Sequence, residues 1–124
     1  MEKDVCLRLK ADILQINRCK TRVSDLKGSF DYLSNGLELA GNKIRLRILF
    51  LLYEESRLCV CDLSDILGMT ISSISQHLRK MKDRELIRSN KEGQTVYYSL
   101  TNEYENLFIP FFNIIEESQT LESA

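Results

Sequence analysis

Thr70-Ile71-Ser72-Ser73-Ile74-Ser75-Gln76-His77-Leu78-Arg79-Lys80-Met81 carries the densest pattern in the chain, and the rest is read outward from it. Ile71, Ile74, Leu78 and Met81 recur at the three-and-four spacing of one helix face, with Thr70 placed as an N-cap. The centre of the opposite face holds Ser72, Ser73, Gln76, Arg79 and Lys80. Hydroxyls, an amide and cations are the groups that read base edges and hold phosphates. A merely solvated face would favour Glu and Lys, and serines lower helix propensity without structural return. Thr70, Ser75 and His77 join the candidate contacts at the edges of this face. His77 is the only histidine, and an imidazole needs partner ligands that this helix lacks, so it reads as a boundary residue rather than a metal ligand.

Upstream stands Leu58-Cys59-Val60-Cys61-Asp62-Leu63. Within a helix, residues i and i+2 point about 200° apart, whereas in an extended segment they project to one side. Cys59 and Cys61 therefore chelate one ion together only if the helix starts after them. Asp62 suits an N-cap, and Gly68 after Leu63, Ile66 and Leu67 suits a C-cap, which places such a helix at 62–67. A helix entrance also favours the thiolate form that binds metal. The competing reading is a pair of small buried hydrophobes.

Downstream, Leu86–Ser89 and Thr95–Leu100 read as strands joined by Asn90-Lys91-Glu92-Gly93-Gln94, a β-hairpin with a polar, partly basic tip. Helix, turn, helix and hairpin in that order make a winged helix-turn-helix, with Arg88 and Lys91 on the wing available to DNA. Asn102 opens a last helix with an apolar stripe of Tyr104, Leu107, Phe108, Phe111 and Ile115, and Pro110 is expected to kink it. Before the motif, Ile44–Tyr53 is apolar around most of its circumference and reads as the central helix, capped by Asn42. Phe30, Leu33, Leu37 and Ala40 mark a shorter amphipathic helix between Gly28 and Gly41. Residues 5–27 read as an arm carrying Cys6, then a helix from about Asp12 carrying Cys19. Such an aromatic last helix needs something to bury against, and a two-fold dimer built from the first and last helices would supply it.

The 124 residues are enough for one core. The expected fold is mostly α with a β-hairpin wing, a homodimeric winged helix-turn-helix. Its parts are an arm and first helix (1–27), the winged domain with a dimerisation helix (28–118) and a disordered tail (119–124). A net charge of −1 argues against a general nucleic-acid coat. Basic residues nevertheless outnumber acidic ones in 1–28 and in 70–100, while 101–124 carry no Lys or Arg. With no long apolar run and no signal-peptide pattern, the expectation is a cytoplasmic protein without a membrane partner. Four cysteines in a reducing compartment suit metal or redox roles better than disulfides. A dithiol oxidoreductase would want Cys-x-x-Cys on a βαβ unit, which is absent, so no enzyme is expected.

Taken together, Leu58–Leu63, Thr70–Arg79, Lys91-Glu92-Gly93 and Val96–Leu100 resemble the ArsR/SmtB family of bacterial metal-sensing repressors, over about residues 30–118. The resemblance implies a homodimer that binds double-stranded operator DNA, an imperfect palindrome, and releases it on binding a toxic metal. Arsenite sensors of the family carry a third cysteine where this chain has Ser64. Cadmium and lead sensors add an N-terminal Cys-x3-Cys, of which Cys6 matches the first position and Lys10 stands in the second. The zinc set of the last helix is missing, its positions being Asn102, Tyr104, Ile115 and Ser118. A site of Cys59 and Cys61, completed by Cys6 or Cys19 of the other protomer, would favour thiophilic ions such as Cd(II), Pb(II), Hg(II) or As(III), with no organic cofactor. A thiol redox or persulfide sensor on the same fold is the rival reading.

Overall fold

The computed structural model describes residues 5–123, and the chain divides into two compact units between Tyr32 and Leu33. In the first unit, α1 (Ile13–Asp25) starts on Asp12, whose carboxylate accepts the Gln15 N–H at 3.0 Å. None of its residues is buried, and Ile13, Leu14 and Val23 are exposed. A turn at Leu26, whose N–H reaches the carbonyls of Arg22 and Val23, leads into α2 (Lys27–Ala40). Gly28 was expected to break the helical pattern. It instead lies in the first turn of α2, because the chain bends at Leu26 and a helix tolerates a glycine at modest cost.

In the second unit, α2 buries Gly36 and Leu39, while Leu33 and Leu37 of the expected stripe face outward. The close approach of the last helix explains the difference. A Cβ on Gly36 would lie 2.9 Å from Cε1 of Tyr104, so the packed face is the one with no side chain at that point. Next comes α3 (Lys43–Glu55), where Asn42 Oδ1 accepts the N–H groups of Ile44 and Arg45 at 2.9 and 3.0 Å. As its sequence foretells, it buries Ile48, Leu49 and Leu52.

The helix-turn-helix follows as α4 (Val60–Leu67) and α5 (Ile71–Asp83). Gly68 closes α4 with φ 65° and ψ 36°, the left-handed cap for which a Cβ is a penalty. Thr70 Oγ1 accepts the Ser73 N–H at 3.1 Å and starts α5, which buries Ile74, Leu78 and Met81. Ile71, expected in the same stripe, is half exposed because it precedes the part of α5 that meets the core.

A three-stranded antiparallel sheet has the order β1-β3-β2, from β1 (Leu58–Cys59), β2 (Ile87–Glu92) and β3 (Thr95–Leu100). Pairing of β2 with β3 runs from Ile87↔Leu100 to Glu92↔Thr95, further toward the tip than the sequence suggests. That leaves the two-residue connection Gly93-Gln94, with Gly93 at positive φ as a primed turn requires. The short strand β1 has no periodic signal of its own and pairs Leu58 with Tyr98 and Cys59 with Tyr97.

The last helix, α6 (Asn102–Ser123), contains Pro110 and continues past residue 118, with no glycine or further proline to stop it. Among the described side chains of α6, the buried ones are Tyr104, Phe108 and Phe112, an i, i+4, i+8 row. Phe112 lies 5.6 Å from the Phe50 ring, edge on, and 5.0 Å from Tyr53. The expected stripe is thus corrected: Phe112 enters the core, and Phe111 and Ile115 stay partly exposed on a neighbouring face. Asn35 ties α2 to this helix and to the end of α5, donating to Tyr104 Oη at 2.9 Å and to the Arg84 carbonyl at 3.0 Å. The final residue, Ala124, lies outside the described residues.

Candidate DNA interface and thiol site

Ser72, Gln76, Arg79 and Lys80 stand exposed on α5, opposite the buried row of Ile74, Leu78 and Met81. Ser73, Ser75 and His77 are half-buried, and Thr70 is exposed while its hydroxyl caps the helix. A packed inner row fixes the direction of the outer one, so these polar groups project together from the exposed face of α5. His77 Nδ1 lies 3.5 Å from Arg45 Nη1, and Arg45 is itself held by donating from Nε to the Leu39 carbonyl at 2.7 Å. Burial, then the charges of Arg45 and Lys80, push the His77 imidazole below its ordinary value. It is therefore a neutral group at the margin of a cationic face near pH 7.

On the wing, Arg88 and Lys91 are both exposed but belong to opposite faces of the sheet, since they stand three positions apart along β2 and side chains alternate between faces. Lys91 shares its face with the buried Ile87. Arg88 shares the outer face with Ser99, its cross-strand partner in register, and with the next pair on that face, Asn90 and Tyr97.

The thiols depart from expectation in one respect. α4 starts at Val60 with Cys59 as its N-cap, so Cys61 lies inside the first turn rather than before the helix. The reason is Asp62, which acts from the N3 position: its carboxylate accepts the Cys59 N–H at 3.3 Å and completes a capping box. Cys59 keeps an extended backbone, φ −94° and ψ 170°, so the 200° divergence of two helical residues does not apply to this pair. Cys59 is half-buried beside Tyr97, and Cys61 is exposed. Cys6, ahead of α1, and Cys19, on α1, are exposed free thiols of the first unit. Among the described residues no three His, Cys, Asp or Glu side chains are grouped as a metal site. Cys59 and Cys61 thus flank the first residue of α4, one half-buried and one exposed.

Arg57 was not legible as a functional residue, because it sits in the connection between α3 and β1. Its guanidinium lies 4.0 Å over the Tyr97 ring, and Nη1 donates to Glu92 Oε2 at 2.6 Å. Only the pairing of β1 with β3, absent from any periodicity, brings these groups together.

Residues 42–89, from the cap of α3 into β2, match the profile of the bacterial regulatory proteins of the arsR family. The cadmium resistance transcriptional regulatory protein CadC of Listeria innocua is 31% identical over 90 residues, covering 71% of this chain and 72% of the relative. A CadC homolog of Staphylococcus aureus is 32% identical over 109 residues, covering 84% of each. The chain belongs to the arsR family. Among solved structures, the homodimeric winged helix-turn-helix DNA-binding domain of Mb0332 from Mycobacterium bovis superposes with a TM-score of 0.65 at 25% identity, covering 77% of this chain and 89% of that one. The fold and relatives of this arsR-family chain are those of DNA-binding transcriptional regulators, not of enzymes. No helix among the described residues is long and apolar enough to cross a membrane.

Proposed function

We propose that this arsR-family protein is a homodimeric, metal-responsive repressor. Without metal it holds an imperfectly palindromic operator through Thr70, Ser72, Ser73, Ser75, Gln76, His77, Arg79 and Lys80 of α5 and Arg88 and Lys91 of the wing. A thiophilic ion, Cd(II), Pb(II), Hg(II) or As(III), bound by cysteine thiolates then releases the DNA and derepresses a metal-resistance operon. The observation that carries the reading is the position of Cys59. It is at once the N-cap of α4 and the residue that pairs β1 to Tyr97 of the wing, so a ligand there acts on both parts of the DNA-binding surface.

Cys59 and Cys61 supply two thiolates, and the third comes from Cys6 of the partner protomer, with Cys19 as the other candidate. Cys6 precedes α1 in chain without regular structure, whereas Cys19 is fixed on the helix. A dimer is supported by the outward apolar groove of Leu37, Leu46, Phe111, Ile114 and Ile115, and by the homodimeric state of the Mycobacterium bovis domain. Moving a two-state protein from 1:99 to 99:1 takes about 5.5 kcal/mol of differential affinity. Structural Zn–thiolate sites reach roughly 10–16 kcal/mol in total, so the energy is within reach.

The test is ultraviolet thiolate-to-metal absorption on adding Cd(II), Pb(II), Hg(II) and arsenite in turn, recorded beside operator binding. Cys59→Ser and Cys61→Ser are expected to leave metal-free DNA binding near wild type and to abolish release. Cys6→Ser should remove about one thiolate of absorption and impair release more than Cys19→Ser does. A Cys59→Ser protein that still dissociates on metal addition rejects the site. Release by peroxide or persulfide without metal would replace it with thiol redox sensing.

A further inference from the structure

The outer face of the wing sheet carries a polar cleft of about 500 Å³ between Arg57 and Arg88, walled by Tyr97, the Ser56 and Ser99 hydroxyls and the Asn90 amide. Both guanidinium groups are positioned from below by β3. Arg57 rests on the Tyr97 ring at 4.0 Å, and Arg88 donates from Nε to Ser99 Oγ at 3.3 Å. Arg88 makes no ion pair among the described residues. The carboxylate at the cleft is that of Glu92, which holds Arg57 at 2.6 Å and accepts from Asn90 Nδ2 at 3.3 Å.

We propose that this cleft is a phosphate-binding site, occupied by a backbone phosphate of DNA that lies against the outer face of the wing, and that Glu92 competes with that phosphate for Arg57. Two forked donors held in place, with neutral hydroxyl and amide donors beside them, fit a tetrahedral oxyanion better than a spherical or apolar ligand. The ring beneath Arg57 restricts its rotamers before any ligand arrives, so less freedom is lost on binding. The Arg57–Glu92 pair is about half exposed on both sides, and such pairs exchange partners at little cost. A backbone phosphate is favoured over a free one because Lys91 projects from the other face of the same hairpin. The wing thereby offers cations on both of its sides, as a finger lying along a phosphate-lined groove would. This site rests on the DNA-binding reading proposed above, in which Arg88 already contacts DNA, adds Arg57 and Glu92 to it, and needs no metal.

The experiment uses the full chain, a random-sequence duplex and, separately, inorganic phosphate. Arg57→Gln and Arg88→Gln should each lower the slope of log affinity against log salt by about 0.9 and weaken duplex binding about eightfold near 0.1 M salt. Arg57→Lys, which keeps the charge, should retain most of the slope. Glu92→Gln should tighten duplex binding, because it removes the competitor. That direction separates the proposal from a structural ion pair, whose loss would leave binding unchanged or weaken it through the wing. Inorganic phosphate should shift the side-chain NMR resonances of Arg57 and Arg88 together. Shifts with phosphate but an unchanged salt slope in Arg57→Gln would overturn the DNA backbone as the occupant. Unchanged or weaker binding in Glu92→Gln, or no response of either arginine to phosphate, would overturn the site.

Discussion

The two helices of the helix-turn-helix are anchored in different ways. α5 is held along its length by Ile74, Leu78 and Met81, whereas α4 buries only Leu63 and is fixed at its ends. One end is the Cys59–Asp62 capping box and the β1 ladder to Tyr97. The other is the left-handed Gly68, backed by the Ser64 hydroxyl donating to the Met69 carbonyl. A helix held by its ends can change tilt when an end is pulled, while a helix held by a packed row moves only with its core. Cys59 and Cys61 sit at the first kind and the exposed polar row of Ser72, Gln76, Arg79 and Lys80 on the second. Under the function proposed above, sensing and reading would fall to elements with different freedom.

The largest expected effect tests that difference in anchoring. Leu78→Ala should destabilise the domain by about 2–5 kcal/mol in chemical denaturation, since the side chain is 1% exposed and its removal leaves a cavity. Native-state hydrogen exchange should then show α4 amides opening at a lower free energy than those of α5. Equal protection of the two helices would erase the distinction and leave no movable element at the thiols.

Next in size is a separation at the level of DNA. Gln76→Ala should weaken operator binding by about 1–3 kcal/mol with a smaller loss on random DNA, because a base-edge contact carries sequence information and a phosphate contact does not. Cys61→Ser, exposed on α4 and away from the α5 face, should leave both affinities unchanged. Equal losses for Gln76→Ala on the two DNAs would move it to the phosphate-contact class. A loss for Cys61→Ser would mean that α4 itself is part of the interface.

The same contrast explains what the sequence disclosed. α5 was legible because its packing is local and periodic: the apolar row, Thr70 and the polar face all follow from helix spacing. Asn42, Gly68 and the order of helix, turn, helix and hairpin were legible for the same reason. The start of α4 differs from the expected one because Asp62 works from the N3 position on the Cys59 N–H, while Cys59, no usual cap, is kept extended by its pairing with Tyr97, set by chain far away. Long-range packing also hid which faces of α2 and α6 are inward, since Gly36 matters only once Tyr104 lies against it. The cleft around Arg57 was invisible on the same ground.

The smallest effect concerns His77, at the half-buried margin of α5. With a single histidine in the chain, one imidazole resonance reports on it without ambiguity. Burial, together with Arg45 and Lys80, lowers its titration, so the folded protein keeps it neutral at pH values where the unfolded chain, near 6.5, already takes up a proton. The sign follows: the unfolded state binds more protons as pH falls below 6.5, so the contribution of His77 to stability is present above that value and is lost as pH drops through the lower folded midpoint. In free protein the NMR midpoint should therefore lie below 6.5. Bound DNA adds phosphate charge opposite Arg45 and Lys80 and should raise the midpoint, and by linkage DNA affinity should increase modestly as pH falls through that window. A midpoint unchanged by DNA would remove His77 from the contact surface and leave α5 reading DNA through Ser72, Gln76, Arg79 and Lys80.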